Sequence, residues 1–137
     1  MNHCRPLAWN AGAMAPTTGP RAGFHSVTPR IVVDDVSGQV SFLREVFGAT
    51  GDVIPGRPAE LGIGDSLVMV SPSSARDRFP AFLYIYVDDA DACHGRALAA
   101  GAITIEEPLD TPYGDRRAMV RDPFGNVFQM AHVLGPR

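Results

Sequence analysis

Lysine is absent from this chain: all twelve basic side chains among its 137 residues are arginine. A guanidinium stays protonated and cannot serve as a Schiff-base amine, so imine chemistry through lysine and a lysine-bearing P-loop are both excluded. Cysteine is scarce as well. Cys4 and Cys93 are far apart, fit neither a CxxC nor a zinc spacing, and demand no oxidising compartment. Cys93 falls in a predicted helix and reads as a small buried hydrophobe. Excess positive charge is missing too, with a formal charge of −3 and a pI of about 5.7. Nucleic acid is therefore not an expected partner, because nothing here neutralises a row of phosphates. No apolar run approaches the ~18 residues of a membrane span, and the first twenty-four residues lack the continuous apolar core of a signal peptide. The expectation is a soluble, cytoplasmic protein with no membrane partner.

A hydrophobic content of 45% in 137 residues suffices for the core of one domain. Residues 1–24, "MNHCRPLAWNAGAMAPTTGPRAGF", are rich in Pro, Gly, Ala and Thr and carry no usable period. They are expected to be either a flexible arm, with Trp9 as its one large anchor, or a leader from an overcalled start with Met14 as an internal alternative. The pattern lies in residues 25–137. Laid on itself, "RIVVDDVSGQVSFLREVFGAT" (30–50) matches "YIYVDDADACHGRALAAGAIT" (84–104) without a gap, at an offset of 54. Further along, "GDSLVMV" (64–70) matches "GNVFQM" (125–130) at an offset of 61. One supersecondary unit is written twice.

Each copy reads as a strand, a helix and three strands. In module one, residues 27–71, a β-branched strand covers 27–34 and Asp35 caps a helix. That helix carries Val36, Val40, Leu43 and Phe47 at helical spacing and closes at Gly48. Short strands are expected near 50–54 and 58–63, with Gly64 and Asp65 turning the chain into a strand over 67–71. "SPSSARDRFP" (71–80) supplies the polar linker, which covers 72–80 after the last residue of module one. In module two, residues 81–133, a strand over 81–88 leads to a helix capped by Asp89 and ended at Gly101, and strands follow near 103–106, 115–121 and 126–133.

The tandem βαβββ unit, the "VVDD" and "YVDD" strand ends and "RDPFGN" before the last strand resemble the vicinal oxygen chelate superfamily, which includes glyoxalase I, extradiol dioxygenases and bleomycin-resistance proteins. The resemblance spans about residues 27–133 and implies an α+β fold whose two modules form a curved mixed sheet around a cavity. It says less about activity, since one scaffold hosts many chemistries. In metal-dependent relatives each copy supplies two ligands, one from its first strand and one from its last, drawn from His, Glu or Gln. The matching positions here are Thr28, Met69, Phe82 and Gln129. Only Gln129 has a ligating side chain of that kind, so the resemblance implies that the metal is lost, and no cofactor is expected. The histidines do not replace it. His25 and His132 lie three residues from Thr28 and Gln129, hence on opposite strand faces. His94 is on a helix and His3 in the arm, and all are expected to be hydrogen-bonded surface residues.

Strand parity extends the inward set to Arg30, Val32, Leu67, Ser71, Tyr84, Tyr86, Val127 and Ala131, while Ile31, Val33, Leu83, Ile85 and Val87 face the helices. No His or carboxylate is inward by this count, Glu60, Glu106 and Asp115 reaching in only from an edge, and Ser71 has no triad partners. The expected ligand-binding residues are Arg30, Met69, Phe82, Tyr84, Tyr86, Tyr113 and Gln129. Arg30 is placed to pair a carboxylate or stack on a ring, and Gln129 either orients a ligand or only bonds a neighbour. The tyrosines serve either a ligand or a second subunit, and "EEPLDTPYGDRR" (106–117) is either a lid or an ordinary hairpin connection. The expected function is a metal-free small-molecule binding protein resembling the bleomycin-resistance branch, a homodimer that sequesters a drug or metabolite. The alternatives are a metal-dependent lyase, isomerase or dioxygenase with other ligands, and a purely dimerising or regulatory domain.

Overall fold

The computed structural model describes residues 19–74 and 76–135, so His3, Cys4, Trp9, Met14 and most of the expected arm lie outside the described residues. Its elements run β1 (Arg30–Val33), α1 (Val36–Phe47), β2 (Ala59–Ile63), β3 (Ser66–Pro72), β4 (Phe82–Tyr86), α2 (Ala90–Ala99), β5 (Ile103–Asp110), β6 (Asp115–Arg121) and β7 (Val127–Val133). The chain turns from strand to helix at both Asp pairs because Asp35 and Asp89 each accept an exposed helix amide, from Gly38 at 2.9 Å and Ala92 at 3.1 Å. α1 stops at Gly48, whose left-handed φ of 67° lets its N–H return to the Arg44 carbonyl at 3.0 Å. α2 ends at Ala99, just ahead of the expected Gly101.

The strands form two mixed sheets, ordered β1-β3-β2 and β4-β7-β6-β5. In each, the first strand of the repeat unit lies parallel to the last, and the other pairs are antiparallel. This is the expected α+β repeat, with corrections to its strands, among them β5, which runs past the expected 103–106 to Asp110. The strand expected near 50–54 is reduced to a single bridge between Thr50 and Gly62, because Gly51 at φ 114°, Pro55 and Gly56 at φ 82° bend the chain away from extended pairing. β1 also begins later than expected, at Arg30, directly after Pro29.

The two helices pack against each other and on the backs of their own sheets. Phe128 of β7 is buried against Phe42 and Phe47 of α1, with ring centroids 5.9 and 5.5 Å apart, so the apolar core crosses from one unit into the other. Cys93 belongs to that core. Burial pushes its thiol up to about 11, and its Sγ donates to the Val46 carbonyl at 3.4 Å. Arg96 donates to the same carbonyl through Nε and Nη2, at 3.2 and 3.1 Å, which sets a cation at the last turn of α1.

The "RDPFGN" turn is built into the same junction. Asp122 Oδ1 accepts the amides of Phe124 and Asn126 at 2.9 and 2.8 Å, which shapes the turn. Its Oδ2 accepts Gln39 Nε2 at 2.8 Å, while Gln39 Oε1 accepts Asn126 Nδ2 at 2.8 Å. Asn126 Oδ1 in turn accepts the Ala81 amide just before β4, at 2.8 Å. Gln39 is fully buried on α1, so one side-chain amide ties the helix of the first unit to the last turn of the second. Burial holds the Asp122 carboxyl above its ordinary value in spite of these donors. Among the described residues, no helix is long and apolar enough to cross a membrane.

Candidate functional site

Residues paired across neighbouring strands share a sheet face. On β4, β7 and β6 this sets Tyr84, Gln129 and Met119 in one row, with Tyr86, Ala131 and Arg117 on one side of it and Phe82, Val127 and Arg121 on the other. The alternate residues Ala118, Val120, Phe128 and Met130 are fully buried on the helix side. The row face stays open: Phe82 and Tyr86 are 64% and 62% exposed.

A chain of hydrogen bonds crosses this face. Asp115, fully buried, accepts the hydroxyls of Tyr84 and Tyr86 on one oxygen, Oδ2, at 2.8 Å each. The Tyr84 and Tyr113 hydroxyls lie 3.2 Å apart, and Arg117 Nη1 donates to the Tyr113 oxygen at 3.0 Å. Arg117 also holds Glu106 through two bonds of 2.8 and 3.0 Å. Desolvation, then the bonds to Tyr113 and Asp115, raise the Tyr84 phenol above its ordinary value. The Tyr113 phenol moves the other way, lowered first by the bond with Tyr84 and then by Arg117. Gln129, in the middle of the face, forms no side-chain hydrogen bond with any described residue. Its amide is left to meet water or a ligand.

This geometry corrects one expectation. Carboxylates do reach the inward face by parity: Asp115 is registered with Val133, two residues from Ala131, and Glu106 with Met119. The alternation of Asp115, Arg117 and Met119 with buried Ala118 and Val120 on β6 carried that signal, and Arg117 was the residue it would have added. Of the two readings of segment 106–117, the ordinary hairpin connection is the one the structure gives. It consists of the end of β5, a turn over 111–114 and the start of β6, closed by Thr111 Oγ1 accepting the Asp115 amide at 2.9 Å.

Arg30 and Met69 lie elsewhere, on the first sheet. Arg30, Met69 and Glu60 form the row equivalent to Tyr84, Gln129 and Met119. Arg30 Nη2 reaches Met69 Sδ at 3.5 Å. Glu60 is held by Arg21 and Arg57, and the bond from Arg21 is the main cause keeping its carboxyl below the usual range. The expected binding residues are thus split, with Arg30 and Met69 on one sheet and Phe82, Tyr84, Tyr86, Gln129 and Tyr113 on or beside the other. A cavity of about 250 Å³ at the seam, between the β2–β3 hairpin and β4, takes in Tyr84 and Tyr86.

The donor set does not fit a divalent ion. Thr28 precedes β1, its register equivalents place Met69 across from Arg30 and Gln129 across from Tyr84, and no described group of three or more His, Cys, Asp or Glu gathers to hold a metal. Nor do the described histidines assemble. His132 Nδ1 accepts the Ala90 amide at 2.8 Å, and His94 Nε2 lies 2.8 Å from Thr104 Oγ1. His94 is only 7% exposed, a buried residue where a surface one was expected, because its helix face packs on β5.

Against known proteins, residues 23–130 match the sequence model of the Glyoxalase/Bleomycin resistance protein/Dioxygenase superfamily. An uncharacterised protein of Mycobacterium bovis is 31% identical over 128 residues, covering 80% of this chain and 84% of that one. Among solved structures, TioX from Micromonospora sp. ML1 is similar at a TM-score of 0.68 and 26% identity, over 78% of this chain and 97% of its own. A glyoxalase/bleomycin resistance protein/dioxygenase family enzyme from Burkholderia phytofirmans PsJN is similar at a TM-score of 0.67 and 26% identity, over 77% of this chain and 95% of its own.

Proposed function

The chain belongs to the glyoxalase/bleomycin resistance protein/dioxygenase superfamily, and from that premise we propose that it is a metal-independent, homodimeric protein that binds a small organic molecule. The observation that carries the reading is Gln129. Its uncommitted amide stands between Tyr84 and Met119 on a face bordered by exposed Phe82 and Tyr86. Aromatic and thioether groups around one or two polar anchors suit a flat or amphipathic ligand. A second copy has a reason to cover the same face, since Phe82, Tyr86 and Ile103 expose 64%, 62% and 58% of their surface to solvent. The mechanism is sequestration of a drug or metabolite, which lowers free ligand only while the protein exceeds both Kd and the ligand load.

Native mass spectrometry of the untagged protein, prepared without chelator and offered Ni, Zn, Mn and Fe together with a panel of drug-like aromatic compounds, tests this. The expected species is a dimer that takes up no stoichiometric metal and retains an organic adduct. One tightly held metal per chain would overturn the reading and favour a lyase, isomerase or dioxygenase.

A further inference from the structure

We propose that the first sheet carries an anion subsite, in which Arg30 takes the carboxylate of an aromatic acid; the proposal rests on the small-molecule reading above and names its ligand class. The subsite is a cavity of about 540 Å³ lined by Arg30, Val32, Arg76, Asp77 and Phe79. That volume lies within the roughly 300–1,000 Å³ of ordinary ligand pockets.

Three features point to an anion. First, the lining holds two guanidiniums against one carboxylate, and no described carboxylate comes within 4.0 Å of either guanidinium. Six other arginines, Arg21, Arg44, Arg57, Arg78, Arg116 and Arg117, each have such a partner. Arg30 touches a thioether instead, a weak acceptor that cannot neutralise it. The nearest candidate in its own row, Glu60, is held by Arg21 and Arg57. Second, Ser71 is registered beside Val32, is 2% exposed, and its hydroxyl has no hydrogen-bond partner among the described residues. Buried hydroxyls are rarely left so, and this one shares the sheet face of Arg30 and Val32 without itself lining the cavity. Third, Phe79 borders the cavity with 75% of its surface exposed. A ring stacked there would lie beside the guanidinium that holds its acid group.

The test compares two fluorescent probes of one shape, 2-naphthoate and its neutral methyl ester, titrated into the full-length protein and into Arg30→Gln. The expected result is that 2-naphthoate binds wild type at least about tenfold tighter than the ester, as one charge-assisted bidentate contact allows. Arg30→Gln should abolish that preference, 2-naphthoate then binding no tighter than the ester, while the circular dichroism melt stays that of wild type. Equal binding of both probes by wild type, or a preference that persists in Arg30→Gln, would overturn the subsite and leave the aromatic-binding reading standing. Binding of neither probe up to millimolar concentration would sink both.

Discussion

Truncating Gln39 to alanine is expected to cost about 3–5 kcal/mol of folding stability, because it removes the partner of two buried polar groups at once. Asp122 Oδ2 and Asn126 Nδ2 each lose a bond of 2.8 Å, and all three residues are buried at 0–4% exposure. An orphaned buried group costs about 1–3 kcal/mol, with a carboxylate at the upper end. Against a total of roughly 5–15 kcal/mol such a loss is large. For a domain of this size it lowers Tm on the order of 10 °C. Urea denaturation followed by circular dichroism measures it, and a cycle with Asn126→Ala should show coupling of at least about 0.5 kcal/mol. A loss under about 1 kcal/mol, or strict additivity with Asn126→Ala, would refute the view that this amide joins the two units. The same site has a pH signature. Burial raises the folded-state pKa of Asp122, so the stability this carboxyl contributes is present below its unfolded pKa and lost as pH rises through the folded value. The stability gap between wild type and Asp122→Ala is therefore expected to be wider in acid than at neutral pH.

Asp34 and Glu60 carry the opposite sign. Bonds from Ser73 to Asp34 and from Arg21 to Glu60 lower the two pKa values, so their contribution is present above the unfolded pKa and lost as pH falls through the folded one. Ser73→Ala and Arg21→Ala should each flatten the acid limb of a stability–pH curve, and an unchanged limb would count against these bonds. Tyr113, lowered by its bond with Tyr84 and by Arg117, should be the phenol whose early step disappears from an ultraviolet titration in Tyr113→Phe and moves up in Arg117→Met. Tyr84→Phe deprives Asp115 of a phenol donor and is expected to cost about 1.5–3 kcal/mol, the usual worth of a hydrogen bond to a charged group, measured by the same urea melts.

What the chain displays locally could be read from it. The caps at Asp35 and Asp89, the left-handed glycine at position 48 and the β2–β3 hairpin answer demands made by a few neighbouring residues. What depends on partners far along the chain could not. Gln39 looks like any polar residue on an amphipathic helix, and its partners are 83 and 87 residues away. Asp115 reads as a turn residue until β4 brings Tyr84 and Tyr86 to it from 31 and 29 residues upstream. Parity counted from the Asp pairs set Thr28 and Phe82 as the first-strand positions of the site, whereas pairing sets Arg30 against Met69 and Tyr84 against Gln129.

That shift of two residues changes what the duplication means. At an offset of 54, Arg30 and Tyr84 are equivalent, and the matching parallel registers of the two sheets make Met69 and Gln129 equivalent as their partners. The same two positions therefore hold a cation beside a thioether in one unit and a phenol beside an amide in the other. A divalent-metal site needs about three ligands drawn from His, Cys and carboxylates, and none of these four side chains is one. A ligand that engaged both would be oriented by the difference: an acidic end is favoured at Arg30, and a neutral aromatic end with a hydrogen-bonding group is favoured at Tyr84 and Gln129. Under the proposed ligand-binding function, orientation of an organic molecule is thus what the divergence of the two units would serve.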